Sequence, residues 1–85
     1  MKIPKKLKIG AHTYKIQIVK DLDKCGSTDR MKETISLADW LPKSQLEATL
    51  IHEILHAINN EMDHERLDSL AEQLYQVFSD NKLLK

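Results

Sequence analysis

Two histidines and one glutamate stand at a spacing that could hold a metal ion and activate water. His52, Glu53 and His56 form the pattern H-E-x-x-H. On a helix, residues four apart lie one turn apart on the same face, so both imidazoles can reach one zinc ion. Glu53 would then lie beside the metal, where its carboxylate can take a proton from water. The pattern therefore predicts a metal-dependent hydrolytic site with Glu53 as its general base.

The residues around this pattern are typical of an amphipathic helix, predicted from about residue 44 to residue 60. Apolar side chains recur there at the helical period: Leu46, Leu50, Ile51, Ile54, Leu55 and Ile58. Glu53 and both histidines fall largely off this stripe, so we expect them to face away from the main core. Ser44 and Glu47 fit a capping box, S-x-x-E, at the start of the helix.

The segments on either side of this helix predict a sheet before it and one helix after it. Alternating apolar residues around Gly10 predict a β-hairpin at 6–9 and 12–20. The next segment is predicted as a loop at 21–28, a short strand at 29–32 and a strand at 33–38. A second helix is predicted from about residue 64 to residue 81, with an apolar stripe at Leu67, Leu70, Ala71, Leu74, Val77 and Phe78.

This order of elements indicates an α+β fold, in which a small antiparallel sheet of three to four strands is followed by two helices. The strand at 34–37 is expected to form the sheet edge near the histidine pair. An extended peptide could add to such an edge as a further strand.

Length and composition indicate one domain that spans residues 1–85. Lys+Arg and Asp+Glu both count 13, which argues against a globally basic protein that binds nucleic acid. Cys25 is the one cysteine, so no internal disulfide can form, as expected in a reducing compartment. No apolar run is long enough to span a membrane, and no signal-peptide core is present at the N-terminus. We therefore expect a soluble, cytoplasmic protein without membrane association.

Catalytic zinc commonly takes three protein ligands, so a further ligand is expected beyond the two histidines. The candidates downstream are Glu61, His64, Glu65, Asp68 and Glu72. Periodicity alone does not choose among them, because their directions depend on how the chain bends between the two helices.

The run Ala48–Ile58, followed by Glu65 and Leu70–Asn81, resembles small phage- and prophage-encoded zinc metallopeptidases. It is more distantly similar to ImmA/IrrE-type and minimal gluzincin peptidases. The resemblance covers the whole chain, and H-E-x-x-H is its specific part. It implies a zincin core with zinc held by His52, His56 and an acidic residue of the second helix, which corresponds best to Glu65.

The expected function is hydrolysis of peptide bonds in a protein or peptide substrate. Glu53 would pass the proton of water to the leaving amine, and Tyr75 is a candidate for stabilising the oxyanion. The alternative is a metal-binding phage accessory module that binds a protein partner without hydrolysis, because the chain has no second lobe to build a deep cleft. A third hypothesis is a helical interaction protein in which the histidine pair is accidental.

Overall fold

The computed structural model of the protein describes residues 2–59 and 61–83. Its elements are β1 (Lys6–Ile9), β2 (His12–Val19), β3 (Gly26–Asp29), β4 (Thr34–Ala38), α1 (Lys43–Ile58) and α2 (His64–Asp80). The predicted α+β order, with strands first and helices after, is confirmed. The first helix ends at Ile58 with Asn59 as its C-cap, and the predicted last residue, Asn60, lies outside the described residues.

The four strands form one mixed sheet in the order β1-β2-β4-β3. β1 and β2 form the predicted antiparallel hairpin, and Gly10 in its turn has a φ of +62°, which glycine adopts without strain. β3 and β4 are also antiparallel, whereas β2 and β4 run parallel. The sheet is therefore mixed rather than wholly antiparallel, because β4 enters between β2 and β3 in the direction of β2.

The edge strand beside α1 is β3, and β4 lies inside the sheet. The prediction that residues 34–37 form the edge is wrong, and so is the prediction of a loop through residue 28. Ile35 and Leu37 of β4 are fully buried, as befits a central strand. β3 has the sequence GSTD, which contains no large apolar side chain for a periodicity argument to detect.

The core lies between the sheet and α1. Its buried residues are Tyr14, Ile16, Ile35, Leu37, Leu50 and Ala57. α1 packs across β1, β3 and β4, and α2 packs against α1 with Leu67 and Ala71 buried. Leu70 and Val77 remain 38% and 43% exposed, so part of the apolar stripe predicted for the second helix faces solvent. Within the described residues, neither helix has the length and apolarity needed to cross a lipid bilayer.

A partly buried hydrogen bond between the two helices takes the place of the predicted capping box. The N-cap of α1 is Pro42 and makes no side-chain cap, so the assignment of Ser44 as a cap is wrong. Glu47 turns inward instead, is 6% exposed, and accepts a hydrogen bond of 2.7 Å from the Tyr75 hydroxyl. This bond joins the start of α1 to α2, whose own N-cap is the side chain of Asp63.

Candidate metal centre

Three histidines converge where α1 meets the start of α2. His52 and His56 lie one turn apart on α1, and His64 is the first residue of α2. Each ring offers a nitrogen that lies within 4.8 Å of the nitrogens offered by the other two. The ring centroids of His52 and His56 are 4.7 Å apart, and those of His56 and His64 are 5.3 Å apart. These three side chains are close enough to bind one metal ion.

The structure brings together His52 and His56 as predicted, but it does not add Glu65 to them. Glu65 is exposed in the first turn of α2, outside the group of close donors found among residues 2–59 and 61–83. His64, an alternative that the sequence left open, takes that place. Consecutive helical residues point about 100° apart, and of these two it is His64 that lies with the histidines of α1. Glu72, the other alternative, lines the adjoining cleft.

His52 is held in an orientation and protonation state suited to a metal ligand. Its side chain is 12% exposed, and its Nδ1 atom lies 2.7 Å from Oδ1 of Asp68. A proton on Nδ1 that is donated to Asp68 leaves Nε2 free to bind a metal, as carboxylates do for many metal-bound histidines. Burial lowers the pKa of His52 and outweighs the carboxylates of Glu53 and Asp68, which raise it. His52 is therefore neutral at neutral pH, as metal binding requires.

Glu53 is buried between α1 and the edge strand β3. It is 5% exposed, and its Oε1 atom accepts a hydrogen bond of 2.6 Å from the Thr28 hydroxyl. Its other oxygen, Oε2, lies 3.9 Å from Nε2 of His52. A buried carboxylate is costly unless it is hydrogen-bonded, and Thr28 meets that need at one oxygen. The second oxygen is left beside the histidines, where it can act as a base.

Gly26 of β3 allows α1 to approach the edge strand closely. A Cβ atom at this position would lie 2.9 Å from Cγ2 of Thr49 and 3.0 Å from the carbonyl oxygen of Ser36. It would also lie 3.2 Å from Oε2 of Glu53. The missing side chain at Gly26 is thus what lets the Glu53 carboxylate lie against β3.

His52, His64 and Glu53 border a cleft that is open to solvent. Its volume is about 420 Å³, and it lies between α1, α2 and the segment that enters β3. Its walls include His52, Glu53, His64, Asp68 and Glu72. A smaller depression of about 250 Å³ runs beside β3 and is lined in part by Ser27, Thr28, Glu53, His56 and His64. A ligand could therefore reach the histidines both from the helical side and along the edge strand.

Tyr75, the residue considered for oxyanion stabilisation, donates its hydroxyl proton to Glu47. This hydrogen bond, together with burial, raises the pKa of Tyr75. Burial alone would raise the pKa of Glu47, but the bond from Tyr75 and the charge of Lys43 are among the effects that hold it below its usual value. Tyr75 does not line the cleft among the described residues, so its place is structural.

Sequence reasoning missed the contributions of Thr28 and Gly26 and treated Asp68 as a candidate ligand. Asp68 follows His64 at helical spacing, and its Oδ2 atom lies 3.9 Å from Nε2 of His64. That i, i+4 pairing on the second helix is a signal that could have linked both residues to the centre. No comparable signal marks Thr28, because its contact with Glu53 joins residues 25 positions apart.

Comparison with known proteins leaves the site to be interpreted from its own chemistry. No family model matches the chain, and no curated protein or solved structure matches it either. What the protein does must therefore follow from the histidines, Glu53 and the cleft beside them.

Proposed function

We propose that the protein is a zinc-dependent metallopeptidase in which His52, His56 and His64 hold the metal. The observation that carries this proposal is the convergence of three imidazoles beside the buried carboxylate of Glu53. Imidazole suits zinc, and catalytic zinc sites commonly have three protein ligands and one open position. Zinc holds such nitrogens at about 2.0–2.1 Å, so the donors must draw closer than 4.8 Å. His64 is 71% exposed and has the rotamer freedom to do so.

The residues around the metal would have separate roles in hydrolysis. A zinc ion held by the three histidines would supply a Lewis acid, which would lower the pKa of water and polarise a carbonyl oxygen. Oε2 of Glu53 accepts the proton of the attacking water and returns it to the nitrogen of the leaving amine. Asp68 keeps the proton of His52 on Nδ1, so that Nε2 stays available as a ligand atom.

The edge strand suits an extended peptide as substrate. The Ala38 amide donates to the Cys25 carbonyl. Hydrogen-bonded and non-hydrogen-bonded pairs alternate in antiparallel strands, so Cys25, Ser27 and Asp29 are the residues whose backbone groups face β4. Gly26 and Thr28 then turn their backbone N–H and C=O groups toward the free edge of β3. These groups lie next to Glu53 and can hydrogen-bond a peptide backbone, as exposed sheet edges do in other complexes. The proposed substrate is therefore a protein or peptide segment in extended conformation.

A second candidate function is a metal-binding module that docks on a protein partner without cleaving it. The exposed apolar side chains of Leu70 and Val77 on α2 favour it, because they offer a surface for a partner. We place both candidates in the cytoplasm, where Cys25 would stay reduced.

Substitution of Glu53 by glutamine separates these two functions. Glu53→Gln keeps the size of the side chain and removes the base, so we expect zinc content and melting temperature to stay unchanged. Cleavage of a fluorogenic peptide library should fall by about 10²–10⁴-fold, the usual contribution of a general base. Glu65→Gln is the matched control, because it removes a nearby carboxylate outside the centre, and it should cleave like the wild type.

The two proposals predict different outcomes of this experiment. Equal cleavage by the wild type and Glu53→Gln would contradict the peptidase mechanism. A wild-type protein that binds zinc and cleaves no member of the library would favour the binding module.

A further inference from the structure

We infer that Thr28 is a positioning residue whose hydroxyl holds the carboxylate of Glu53 in the orientation needed for proton transfer. This role rests on the proposed peptidase function and extends its machinery to the edge strand. Thr28 lies on β3 and Glu53 on α1, so the contact joins the two elements that border the smaller depression.

The hydrogen bond from Thr28 fixes which oxygen of Glu53 can act as the base. Oγ1 of Thr28 lies 2.6 Å from Oε1 of Glu53 and 3.2 Å from the carbonyl oxygen of Glu53. A hydroxyl has one proton to donate, and the shorter distance is typical of a charge-assisted bond to a carboxylate. With Oε1 engaged, Oε2 is the oxygen left free beside Nε2 of His52.

Other contacts limit where the Glu53 carboxylate lies but do not set its rotation. Close packing against Gly26 leaves no room for a side chain next to Oε2. The 3.9 Å separation from His52 is too long for a hydrogen bond. Within the described residues, the hydrogen bond that the Glu53 carboxylate accepts comes from Thr28. Because Glu53 is 5% exposed, water cannot easily reach the carboxylate and replace that bond.

Thr28 also connects the base to the strand that would bind the peptide. Its side chain points to Glu53, while its backbone groups belong to the free edge of β3. A peptide paired with that edge would lie in a fixed register relative to Oε2 of Glu53. One residue thus aligns the substrate through its backbone and the base through its side chain.

The decisive comparison is between Thr28→Val, which removes the hydroxyl at constant shape, and Thr28→Ser, which keeps it. Thr13→Val is the matched control, since Thr13 is an exposed threonine on β2 away from the cleft. For Thr28→Val we expect unchanged zinc content, a kcat on the fluorogenic peptide library about 10–10²-fold lower, and a nearly unchanged KM. Thr28→Ser should recover most of kcat, and Thr13→Val should match the wild type.

Crystal structures of the same proteins give a second readout that needs no turnover. In Thr28→Val we expect the carboxylate to rotate so that Oε2 moves by about 1 Å relative to Nε2 of His52, a displacement large enough to explain the loss of rate. In Thr28→Ser it should keep the wild-type position. A carboxylate that stays in place without the hydroxyl, or a serine variant as slow as the valine variant, would overturn the role of Thr28.

The proposed peptidase function and the role of Thr28 can be refuted independently. Wild-type protein that binds no zinc or cleaves no peptide would count against the peptidase. The crystallographic comparison would still decide whether Thr28 orients Glu53.

Discussion

A methyl group added at Gly26 should push β3 and α1 apart and disturb Glu53. The added Cβ atom would lie 2.9 Å from Cγ2 of Thr49, 3.0 Å from the carbonyl oxygen of Ser36 and 3.2 Å from Oε2 of Glu53. The oxygen of Ser36 belongs to the backbone of the central strand β4, so it cannot move aside easily. The strain must therefore be relieved by a shift of α1, of the Glu53 carboxylate, or of both.

The expected cost of Gly26→Ala follows from two opposing effects. Overpacking a tight site typically destabilises a protein by about 1–3 kcal/mol. Alanine also restricts the unfolded chain, which stabilises by about 0.4–1 kcal/mol because the φ of Gly26 is not positive. The midpoints of the two ranges leave a net loss of about 1.3 kcal/mol in the free energy of unfolding. In a domain of this size, each kcal/mol lowers Tm by about 4–8 °C.

Urea unfolding of a double-mutant cycle measures this strain directly. Thr49→Ser removes the Cγ2 atom that would be nearest to the new methyl group. Gly26→Ala combined with Thr49→Ser should be more stable than the sum of the single changes predicts, by about 0.5–1 kcal/mol. If Gly26→Ala unfolds at the same urea concentration as the wild type or a higher one, α1 and β3 do not approach as closely as the site requires.

Further predictions concern the metal and the buried carboxylates. Asp68→Asn should weaken zinc affinity by about 10–100-fold, because it removes the carboxylate that orients His52; competition with a chelating dye measures this. A chelator should lower the Tm of zinc-loaded protein, by the equivalent of about 2.7 kcal/mol when free zinc is 100 times Kd. This stabilisation should be lost in acid, as protons compete with zinc for His52, whose pKa burial lowers. Burial opposes ionisation of Glu47, but its bonds and nearby charges hold its pKa below the usual value. Its contribution to stability is therefore present above about pH 4.3, the value for an unfolded chain, and is lost as pH falls through the lower folded value. Glu47→Gln should show a shallower loss of stability in acid than the wild type in urea melts.

Local features of the chain were predictable because they depend on neighbours in sequence. The spacing of His52 and His56 fixes their common face once the apolar stripe has made the segment a helix. The hairpin around Gly10 was equally local, since alternation and a turn residue specify it. Both features need no knowledge of where distant elements pack.

Features that depend on long-range packing were not predictable in the same way. Whether His64 or Glu65 lies beside His52 and His56 depends on how α2 returns beside α1. A connection of a few residues does not specify that path. β3 becomes a strand because β4 pairs with it, although its own residues Gly26–Asp29 carry no alternating apolar pattern. The bond from Thr28 to Glu53 depends in turn on that pairing, so it could not be read from the sequence.

Zinc content of the untagged protein tests the central proposal most directly. Elemental analysis should be made on the wild type, His64→Ala and Glu65→Ala after incubation with zinc and removal of the excess. If the three histidines form the site, the wild type and Glu65→Ala will each hold one zinc per chain, and His64→Ala will lose most of it. A wild type without zinc would contradict the metal centre altogether. Loss of zinc in Glu65→Ala, with His64→Ala unaffected, would show that the acidic residue and not the third histidine completes the site.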